Sequence, residues 1–310
     1  HAFGETFFPV KCNSNIKCTL FPNGHLLGAA IVLMQISYPG NDDINILYTG
    51  DYNNKNMFFD VANLPEWALH LNLTIVCEST YGEMNSNEMT PVFLNNVTKA
   101  LSEKKHVIVP VFSLGRSQEI LYVIKKAQDE GIINSNIPVY LDGELAINYT
   151  HIYMHYPSLG IRKNMLDFIP KNIYWVNRKI RPNVVENPDQ KIILTTSGMA
   201  TYGPAQYYLS QYLSRPDVLI HFSGYVAEGS LGRKLKETKT GEPVEFNGLV
   251  LKKRADIQYT SEFSAHAKAN ELIAFLKQFD NLKFVLVNHG EPTVKESFAT
   301  KISNELDPKD

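Results

Sequence analysis

The sequence predicts an α/β protein in which a block with a mostly parallel sheet is inserted into a second, different region. From residue 90 to residue 222, apolar strand-like runs alternate with amphipathic helical segments, and glycines or serines follow most of the strands. Outside this block, short β-like segments are separated by turn signals. Because strand, glycine loop and helix repeat within the block, we expect parallel strands there and ligands beyond their carboxyl ends.

The composition is that of an ordinary soluble globular protein. The chain has 310 residues, of which 44% are hydrophobic and 20% are charged, and its formal net charge is −2. This charge gives no bulk attraction to nucleic acid, so binding of a polyanion would need a local patch. The three cysteines form no C-x-x-C pair, which argues against a disulfide framework and a cysteine zinc site. With no apolar run of about 18 residues, we expect no membrane partner and a cytoplasmic protein, nuclear if eukaryotic.

Two loops near the start of the chain carry side chains that could bind a metal. The predicted strands 29–38 and 44–48 are flanked by Gly24-His25 and Gly50-Asp51. Loops at the ends of packed strands commonly carry the chemistry of a site. Taken alone, this pattern is equally compatible with a plain hairpin that has a capping histidine and a turn aspartate.

Further candidate side chains follow other predicted strands. Glu78 follows the strand at 71–77, His289 follows a short buried strand near the end of the chain, and His266 opens a predicted helix. Neutral imidazoles and carboxylates are typical zinc ligands. Each residue alone could equally be a solvated turn residue or a helix cap, so their shared placement carries the hypothesis of a metal site.

The inserted block is predicted from the periodicity of its apolar residues. Phe93, Val97 and Leu101 recur at helical spacing, and Pro204 stands at the first position of a later helix. After Gly224 the alternation stops, which predicts a return to the first region. The strands of the block are predicted over residues 107–112, 137–141, 172–176, 191–196 and 218–222.

Seven segments resemble, in order, the motifs of the β-CASP branch of the metallo-β-lactamase superfamily. This family comprises RNA-processing nucleases related to the endonuclease subunit of the pre-mRNA cleavage machinery, to the Integrator endonuclease, and to archaeal and bacterial ribonucleases such as ribonuclease J. The resemblance covers nearly the whole chain. The segments that carry it are Gly24-His25-Leu26-Leu27-Gly28-Ala29-Ala30, Tyr48-Thr49-Gly50-Asp51, Glu78-Ser79-Thr80-Tyr81-Gly82, residues 110–119, Thr196-Ser197-Gly198-Met199, Phe263-Ser264-Ala265-His266 and His289-Gly290-Glu291.

The resemblance implies a fold and its boundaries. Residues 1–88 and 217–310 would form the C-terminal part of a metallo-β-lactamase αββα sandwich, and residues 89–216 the inserted β-CASP α/β domain. The family's upstream His-x-His-x-Asp-His signature, which supplies further metal ligands, is absent from the sequence. Together with the start at His1, this absence predicts the C-terminal part of a longer protein, which alone binds zinc weakly and cuts RNA poorly or not at all.

The resemblance also implies roles for the candidate residues. His25 and His289 would each bind one of two zinc ions, and Asp51 would bridge the pair. His266 would protonate the leaving 3′ oxygen, and Glu78 would orient it. A histidine at position 289 resembles the members that act on RNA, whereas the DNA-repair branch has an aliphatic residue there.

Further residues are expected to contact the substrate. Backbone N–H groups of Ser197-Gly198-Met199 and of Ser264-Ala265 would meet phosphates that flank the cleaved bond. Arg116 would either contact a phosphate or brace the inserted domain, and the sequence leaves both alternatives open. The expected partner is RNA, with a homodimer or an RNA-processing complex as further possibilities.

Three functions are compatible with the sequence. The leading one is a metal-dependent phosphodiesterase, a zinc ribonuclease of the β-CASP type. The second is a catalytically silent relative that serves as an RNA-binding or complex-forming subunit, which the missing signature favours and the retained acid and ligand residues disfavour. The third is a hydrolase of small esters or lactams, which the α/β insert disfavours because it would form a cleft for a strand.

Overall fold

The structure, a computed structural model, divides the chain into two compact units. The first unit combines His1–Glu88 with Ala265–Asp310, and the second unit is Met89–Ser264. Within the ranges described below, no helix is both long and apolar enough to cross a bilayer. The structure describes residues 1–11, 13–59, 61, 63–85, 91–156, 161–263 and 265–306.

The first unit is built on one mixed six-stranded sheet. In spatial order its strands are β1 (Thr6–Phe7), β2 (Ile16–Pro22), β3 (Ala30–Ile36), β4 (Ile44–Tyr48), β5 (Leu73–Cys77) and β14 (Leu282–Val287). The pairs from β1 to β4 are antiparallel, whereas β5 lies parallel to both β4 and β14. Strand β14, the last one in the described part of the chain, therefore pairs into the same sheet as the first strands.

One face of this sheet packs against helices from the end of the chain. The helices of the unit are α1 (Glu66–Leu69), α8 (Ala269–Leu276) and α9 (Pro292–Glu305). Leu33, Leu47 and Ile75 share this face of the sheet and are fully buried in one core with Leu272 and Phe298. Burial of such side chains stabilises the unit by roughly 1.5–3 kcal/mol each. The loops at the strand ends are therefore attached to a well-packed core.

The second unit contains a six-stranded sheet in which every pair is parallel. In spatial order its strands are β13 (Asp256–Tyr259), β10 (Val218–Phe222), β6 (His106–Pro110), β9 (Ile192–Thr195), β7 (Val139–Asp142) and β8 (Ile173–Val176). All residues of β6, β9 and β10 are buried, as is typical of central strands covered on both faces. The predicted parallel α/β sheet is confirmed.

Helices connect these strands as the periodicity predicted. Pro204 stands in the first turn of α6, and the predicted face of α2, with Phe93, Val97 and Leu101, is buried. The helices are α2 (Val92–Ser102), α3 (Arg116–Asp129), α4 (Glu144–His155), α5 (Arg181–Glu186), α6 (Pro204–Tyr212) and α7 (Leu231–Glu237), and a separate hairpin contains β11 (Pro243–Phe246) and β12 (Leu249–Lys252).

The residues after Gly224 remain in the second unit, whereas the sequence predicts a return to the first unit there. Helix α7 follows β10, and β13 then pairs in parallel with β10, with Leu219 opposite Asp256. The boundary predicted at residue 217 would assign β10 to the first unit, but β10 lies between β13 and β6 in the second sheet. The compact second unit therefore extends to Ser264.

Candidate metal centre

One buried asparagine connects the two loops that precede His25 and Asp51. The Asn23 side-chain N–H donates to the Thr49 carbonyl at 3.1 Å, and its Oδ1 accepts from the backbone N–H of His25 at 3.1 Å. The Asn23 carbonyl accepts from the backbone N–H of Asn53 at 2.9 Å. Because Asn23 is only 2% exposed, these bonds form away from water and fix the loops to each other.

Both loops require glycine at the position before the candidate ligand. Gly24 has a φ of +73°, and a Cβ there would lie 2.0 Å from the Asn53 carbonyl oxygen. Gly50 has a φ of +59°, and a Cβ there would lie 3.0 Å from the side-chain nitrogen of Asn23. The left-handed backbone and the close contacts explain why Gly precedes His25 and Asp51.

His25 is held with one ring nitrogen bonded to the backbone. Its Nδ1 lies 2.7 Å from the Ala265 carbonyl oxygen, an acceptor, so Nδ1 carries the proton and Nε2 is the basic nitrogen. Burial lowers the pKa of His25, and the neighbouring His266 lowers it further, while the Ala265 carbonyl and Asp51 oppose the shift. A neutral imidazole oriented by a backbone carbonyl is typical of a metal-ligating histidine.

The two carboxylate oxygens of Asp51 face different imidazoles. Oδ2 lies 3.6 Å from Nε2 of His25, and Oδ1 lies 3.4 Å from Nε2 of His289. Distances of about 2.1 Å from zinc to each ligand, at a tetrahedral angle, would place two ligand atoms roughly 3.4 Å apart. The observed separations match this value on both sides of the carboxylate, so the three residues fit zinc ligation with Asp51 in the middle.

His289 depends on an unusual backbone conformation that Ser79 stabilises. His289 has a φ of +47°, which L-residues rarely adopt. The Ser79 backbone N–H donates to the His289 carbonyl at 3.0 Å, and the Ser79 hydroxyl donates to the Asn288 carbonyl at 3.0 Å. The fully buried Ser79 thus connects the exits of β5 and β14 and holds His289 beside Asp51.

Glu78 and His266 form a second pair next to these residues. Oε2 of Glu78 lies 2.8 Å from Nδ1 of His266, and Oε1 accepts from the backbone N–H of Tyr52. The Glu78 side chain is 1% exposed, so its carboxylate is stabilised by these partners rather than by water. The ring of His266 lies 4.7 Å from that of His25 and 5.9 Å from that of His289, measured between centroids.

The geometry permits a second role for His266. Single ligand atoms of His25, Asp51 and His266 all lie within 4.8 Å of one another, which is close enough for a shared metal ion. His266 also lies before α8, which begins at Ala269, so the expectation that it opens the helix is wrong. The geometry is therefore compatible with His266 as a metal ligand and with His266 as an acid.

Two positioning residues of this centre were not predicted. Asn23 precedes a glycine, and an asparagine–glycine pair is a known turn signal, so its loop position was accessible from the sequence. Its partners across two loops were not, because they depend on how the strands pair. Ser79 belongs to a segment already singled out, yet no sequence pattern indicates its bonds to Asn288 and His289.

Comparison with known proteins gives the family. The Beta-Casp domain family matches residues 117–235, and the Zn-dependent metallo-hydrolase RNA specificity domain matches residues 250–309. An RNase J-like protein of Methanocaldococcus jannaschii is 31% identical over 310 residues, which cover 94% of this chain and 68% of that protein. The chain belongs to the β-CASP branch of the metallo-β-lactamase superfamily.

Several other relatives share the name transcription termination factor FttA. The protein of Methanosarcina mazei is 30% identical over 314 residues, and that of Methanocaldococcus jannaschii is 32% identical over 310 residues. These alignments cover 94% and 93% of this chain but only 48% and 47% of the relatives. The chain thus spans about half the length of the FttA relatives that it matches.

The Beta-Casp match lies within the second unit, where Arg116 begins α3. The buried guanidinium donates through Nη1 to the Ser223 carbonyl, and Nε lies 3.5 Å from Oε2 of Glu119. Its Cζ lies 5.7 Å from the centroid of Phe263. These contacts support the alternative in which Arg116 braces the β-CASP domain.

For the other residues predicted to contact the substrate, the structure gives fewer contacts. Ser197 and Gly198 line a cavity of the second unit. The Met199 carbonyl accepts from the backbone N–H of Gly232 at 2.9 Å. Ala265 makes its described contact through its carbonyl, to His25. Ser264 lies outside the described residues. Binding of phosphates by these backbone groups therefore stays a prediction.

Proposed function

We propose that this protein hydrolyses RNA phosphodiester bonds with the help of zinc. The observation that carries the proposal is the Asp51 carboxylate, whose oxygens lie 3.6 and 3.4 Å from Nε2 of His25 and of His289. Beside it lies the pair of buried Glu78 and half-buried His266. Metal ligands and an oriented histidine in one cluster match the requirements of phosphoryl transfer to water. The match to an RNA specificity domain supports RNA as the substrate.

His25, Asp51 and His289 would hold two zinc ions, with Asp51 shared between them. When bound, zinc would act as a Lewis acid towards the phosphate and would lower the pKa of an attacking water. The protein's part is to hold the ligands in place. The Ala265 carbonyl orients the ring of His25, and the Ser79 bonds fix the backbone at His289.

His266 would supply the proton for the leaving group. Water oxygen forms a bond to phosphorus and releases one proton to solvent, while the bond from phosphorus to the 3′ oxygen breaks. The doubly protonated imidazole of His266 gives its Nε2 proton to that oxygen and keeps the proton on Nδ1. Glu78 accepts from Nδ1, which orients the ring and stabilises its charged form. A ribose oxygen is a poor leaving group, so an acid placed in this way contributes a rate factor of roughly 10²–10⁴.

The replacement His266→Ala in the full-length protein tests this division of roles. Cleavage of a short RNA should slow by a factor of roughly 10²–10⁴, while zinc content, measured by elemental analysis after dialysis, should stay at the wild-type value. His289→Ala is the matched control, because it removes a neighbouring imidazole that is assigned to zinc, and it should lower both zinc content and activity.

Two outcomes would contradict the proposal. If His266→Ala loses zinc to the same extent as His289→Ala, His266 is a ligand, as the cluster with His25 and Asp51 permits. If wild-type full-length protein with its zinc cleaves no RNA, the hydrolytic function itself is wrong.

A second candidate is a role in transcription termination, favoured by the relatives named for that process. In this case the protein would bind RNA within a complex, with catalysis secondary or lost. Tight RNA binding that is unchanged in both His266→Ala and His289→Ala, without cleavage by the wild type, would favour this candidate.

A homodimer or an RNA-processing complex remains a proposal that sedimentation of the full-length protein would test.

A further inference from the structure

A cavity of about 510 Å³ lies wholly within the second unit. It opens at the carboxyl ends of β7 and β9, where Asp142-Gly143 and Thr196-Ser197-Gly198 leave the sheet. Its volume falls in the range of about 300–1,000 Å³ that is usual for small-molecule sites. None of the residues at the metal centre contributes to its lining.

The position of the cavity in the sheet is that of a ligand site. The chain leaves β7 through α4 towards β8 on one side, and it leaves β9 through α6 towards β10 on the other side. Loops that diverge from neighbouring parallel strands leave a crevice between them, where open α/β sheets bind ligands. The cavity occupies this crevice between β7 and β9.

Aromatic side chains line part of the cavity. Tyr202 is 70% exposed and Phe112 is 37% exposed, and both border it. Gly198 packs against the Phe112 ring so closely that a Cβ there would lie 2.7 Å from a ring carbon. Exposed rings beside a crevice offer flat surfaces on which a planar heterocycle can stack.

The charged groups of the lining largely cancel. Asp142, which is 1% exposed, accepts from Nε of Arg181 at 2.6 Å, from Nη2 at 2.9 Å, and from the Tyr208 hydroxyl at 2.8 Å. The other two charged residues, Glu144 and Arg178, have opposite signs. With no net positive charge, the cavity is better suited to an uncharged planar group than to a phosphate.

The lining also contains neutral hydrogen-bonding groups. The amides of Asn148 and Asn177 and the hydroxyl of Ser197 border the same space, and amides can both donate and accept. The edges of a nucleobase present donors and acceptors of this kind. The exposed Arg178 could contact the sugar–phosphate backbone that continues from such a base.

We propose that this cavity binds one unpaired nucleobase of an RNA strand. The proposal rests on the proposed function in taking RNA as the ligand, but it concerns a site on the second unit that is distinct from the metal centre. The same base-binding chemistry could serve a free nucleotide, and the experiment separates the two sources. The stacking surfaces are Phe112 and Tyr202, and the edge contacts are Asn148, Asn177 and Ser197.

Binding of two oligomers to the full-length protein tests the proposal. One is a uridine hexamer, and the other has the same sugar–phosphate backbone without bases; both are measured by fluorescence anisotropy in EDTA, so that cleavage plays no part. Wild-type protein should prefer the base-bearing strand. Because stacking on an aromatic ring contributes roughly 1–3 kcal/mol per base, Tyr202→Ala should reduce the preference by roughly 5- to 150-fold.

Matched controls separate the cavity from general loss of affinity. Gly198→Ala, which forces the Phe112 ring to move, should also reduce the preference for bases. Tyr174→Ala removes a ring of similar exposure, 52%, that does not line the cavity, and it should leave the preference unchanged. Arg178→Gln should weaken both oligomers, whereas the same change at the exposed neighbour Lys179 should weaken neither by as much.

Three outcomes would overturn the proposal. Equal affinity of wild type for both oligomers, or an equal effect of Tyr202→Ala and Tyr174→Ala, would show that the cavity does not bind bases. Saturable binding of uridine monophosphate that the hexamer fails to displace would identify a free nucleotide as the occupant. Since cleavage is not measured, failure of the proposed hydrolysis with intact base preference would contradict that function and leave this site supported.

Discussion

The candidate metal centre depends on Asn23, whose side-chain amide is hydrogen-bonded to two other loop residues. Its amide holds the loop before Gly50 and the backbone N–H of His25 in one arrangement. Groups that orient ligands usually matter almost as much as the ligands, with losses of about 10- to 100-fold in affinity when they are removed. A site of this kind therefore has to be assessed together with the residues that support it.

Asn23→Ala is expected to weaken zinc binding by roughly 10- to 100-fold. The change removes the bonds to Thr49 and to the His25 N–H, so the two loops lose their common anchor. Competition with a chromophoric chelator measures the affinity. The exposed turn residue Asn41 provides the control, since Asn41→Ala should bind zinc like the wild type. Equal affinities in all three proteins would show that the loops hold their shape without Asn23.

His221 makes the second unit sensitive to acid. Burial lowers the pKa of His221 to about 4, while the Phe222 carbonyl and Asp256 oppose the shift. The neutral ring accepts from the Asn96 side chain through Nε2 at 3.2 Å, which protonation would prevent. An unfolded histidine has a pKa of about 6.5, so the unfolded chain binds more protons between pH 4 and 6.5, and stability rises with pH across that window.

Replacement of His221 by glutamine should reduce this dependence on pH. One buried histidine contributes at most about 1.4 kcal/mol per pH unit to the slope of the unfolding free energy. The pKa of buried His106 is also lowered to about 4, so the wild-type slope has contributions from both residues. Urea unfolding at several pH values between 4.5 and 7 measures the slopes. Identical slopes in His221→Gln and wild type would refute the assignment.

Local sequence patterns point to the candidate site residues, whereas the geometry that joins them depends on the fold. His25, Asp51, Glu78 and His289 could be singled out because each follows a strand and is accompanied by glycine or serine. The bonds that orient them join residues far apart in the chain, such as the one between Glu78 and His266, and no local pattern encodes them.

Two buried lysines cap the C-terminal ends of helices in the second unit. Nζ of Lys253 donates to the carbonyls of Leu235 and Thr238, at the end of α7, with distances of 2.8 and 2.5 Å. Nζ of Lys191 likewise donates to the Val184 carbonyl of α5 at 2.9 Å. The last carbonyls of a helix have no partner within it, and a cation there also interacts favourably with the helix dipole.

Lys253→Met should destabilise the second unit by roughly 1–3 kcal/mol, the usual cost of buried polar groups left without partners. Methionine keeps most of the length and apolar surface of the side chain, so the lost bonds dominate. Thermal or urea unfolding followed by circular dichroism gives the difference. The neighbouring Lys252 is exposed, and Lys252→Met should have little effect. Similar losses for both variants would attribute the effect to charge alone.

Elements with strong periodicity were predicted, and elements with mixed polarity were not. Helix α9, Pro292–Glu305, was missed because most of its residues are polar. Its buried residues are Phe298 and Ile302. Its signals were Pro292 at the first position and the spacing of those two residues. Helices α5 and α7 are only 6 and 7 residues long, too short for a periodic pattern to become visible.

At the scale of the molecule, the boundary between the units was harder to place than the units themselves. The texture of the sequence changes after Gly224, where a short helix and a hairpin replace the regular alternation. Only strand pairing shows that β13 still belongs to the parallel sheet. Pairing of distant strands is a tertiary property, and the change of local texture after Gly224 does not reveal it.

The fragment 91–263 should fold by itself, because its sheet and its apolar core are internal to the second unit. We expect a cooperative thermal transition and dispersed amide signals in an NMR spectrum. A fragment that ends at residue 216 is the control. It lacks β10 and β13, which leaves β6 at the edge of the sheet, and it should be unfolded or aggregated. An equally well-folded shorter fragment would contradict this division.

The candidate metal centre combines residues that precede the second unit in the chain with residues that follow it. His25 and Asp51 precede that unit in the chain, whereas His266, His289 and the Ala265 carbonyl that orients His25 follow it. Synthesis proceeds from the N-terminus, and domains generally fold as they emerge. A nascent chain can therefore complete its second unit first, while the ligand set remains incomplete until His289 has left the ribosome. The order of the sequence thus makes the candidate ligand set depend on residues that are synthesised after the whole second unit.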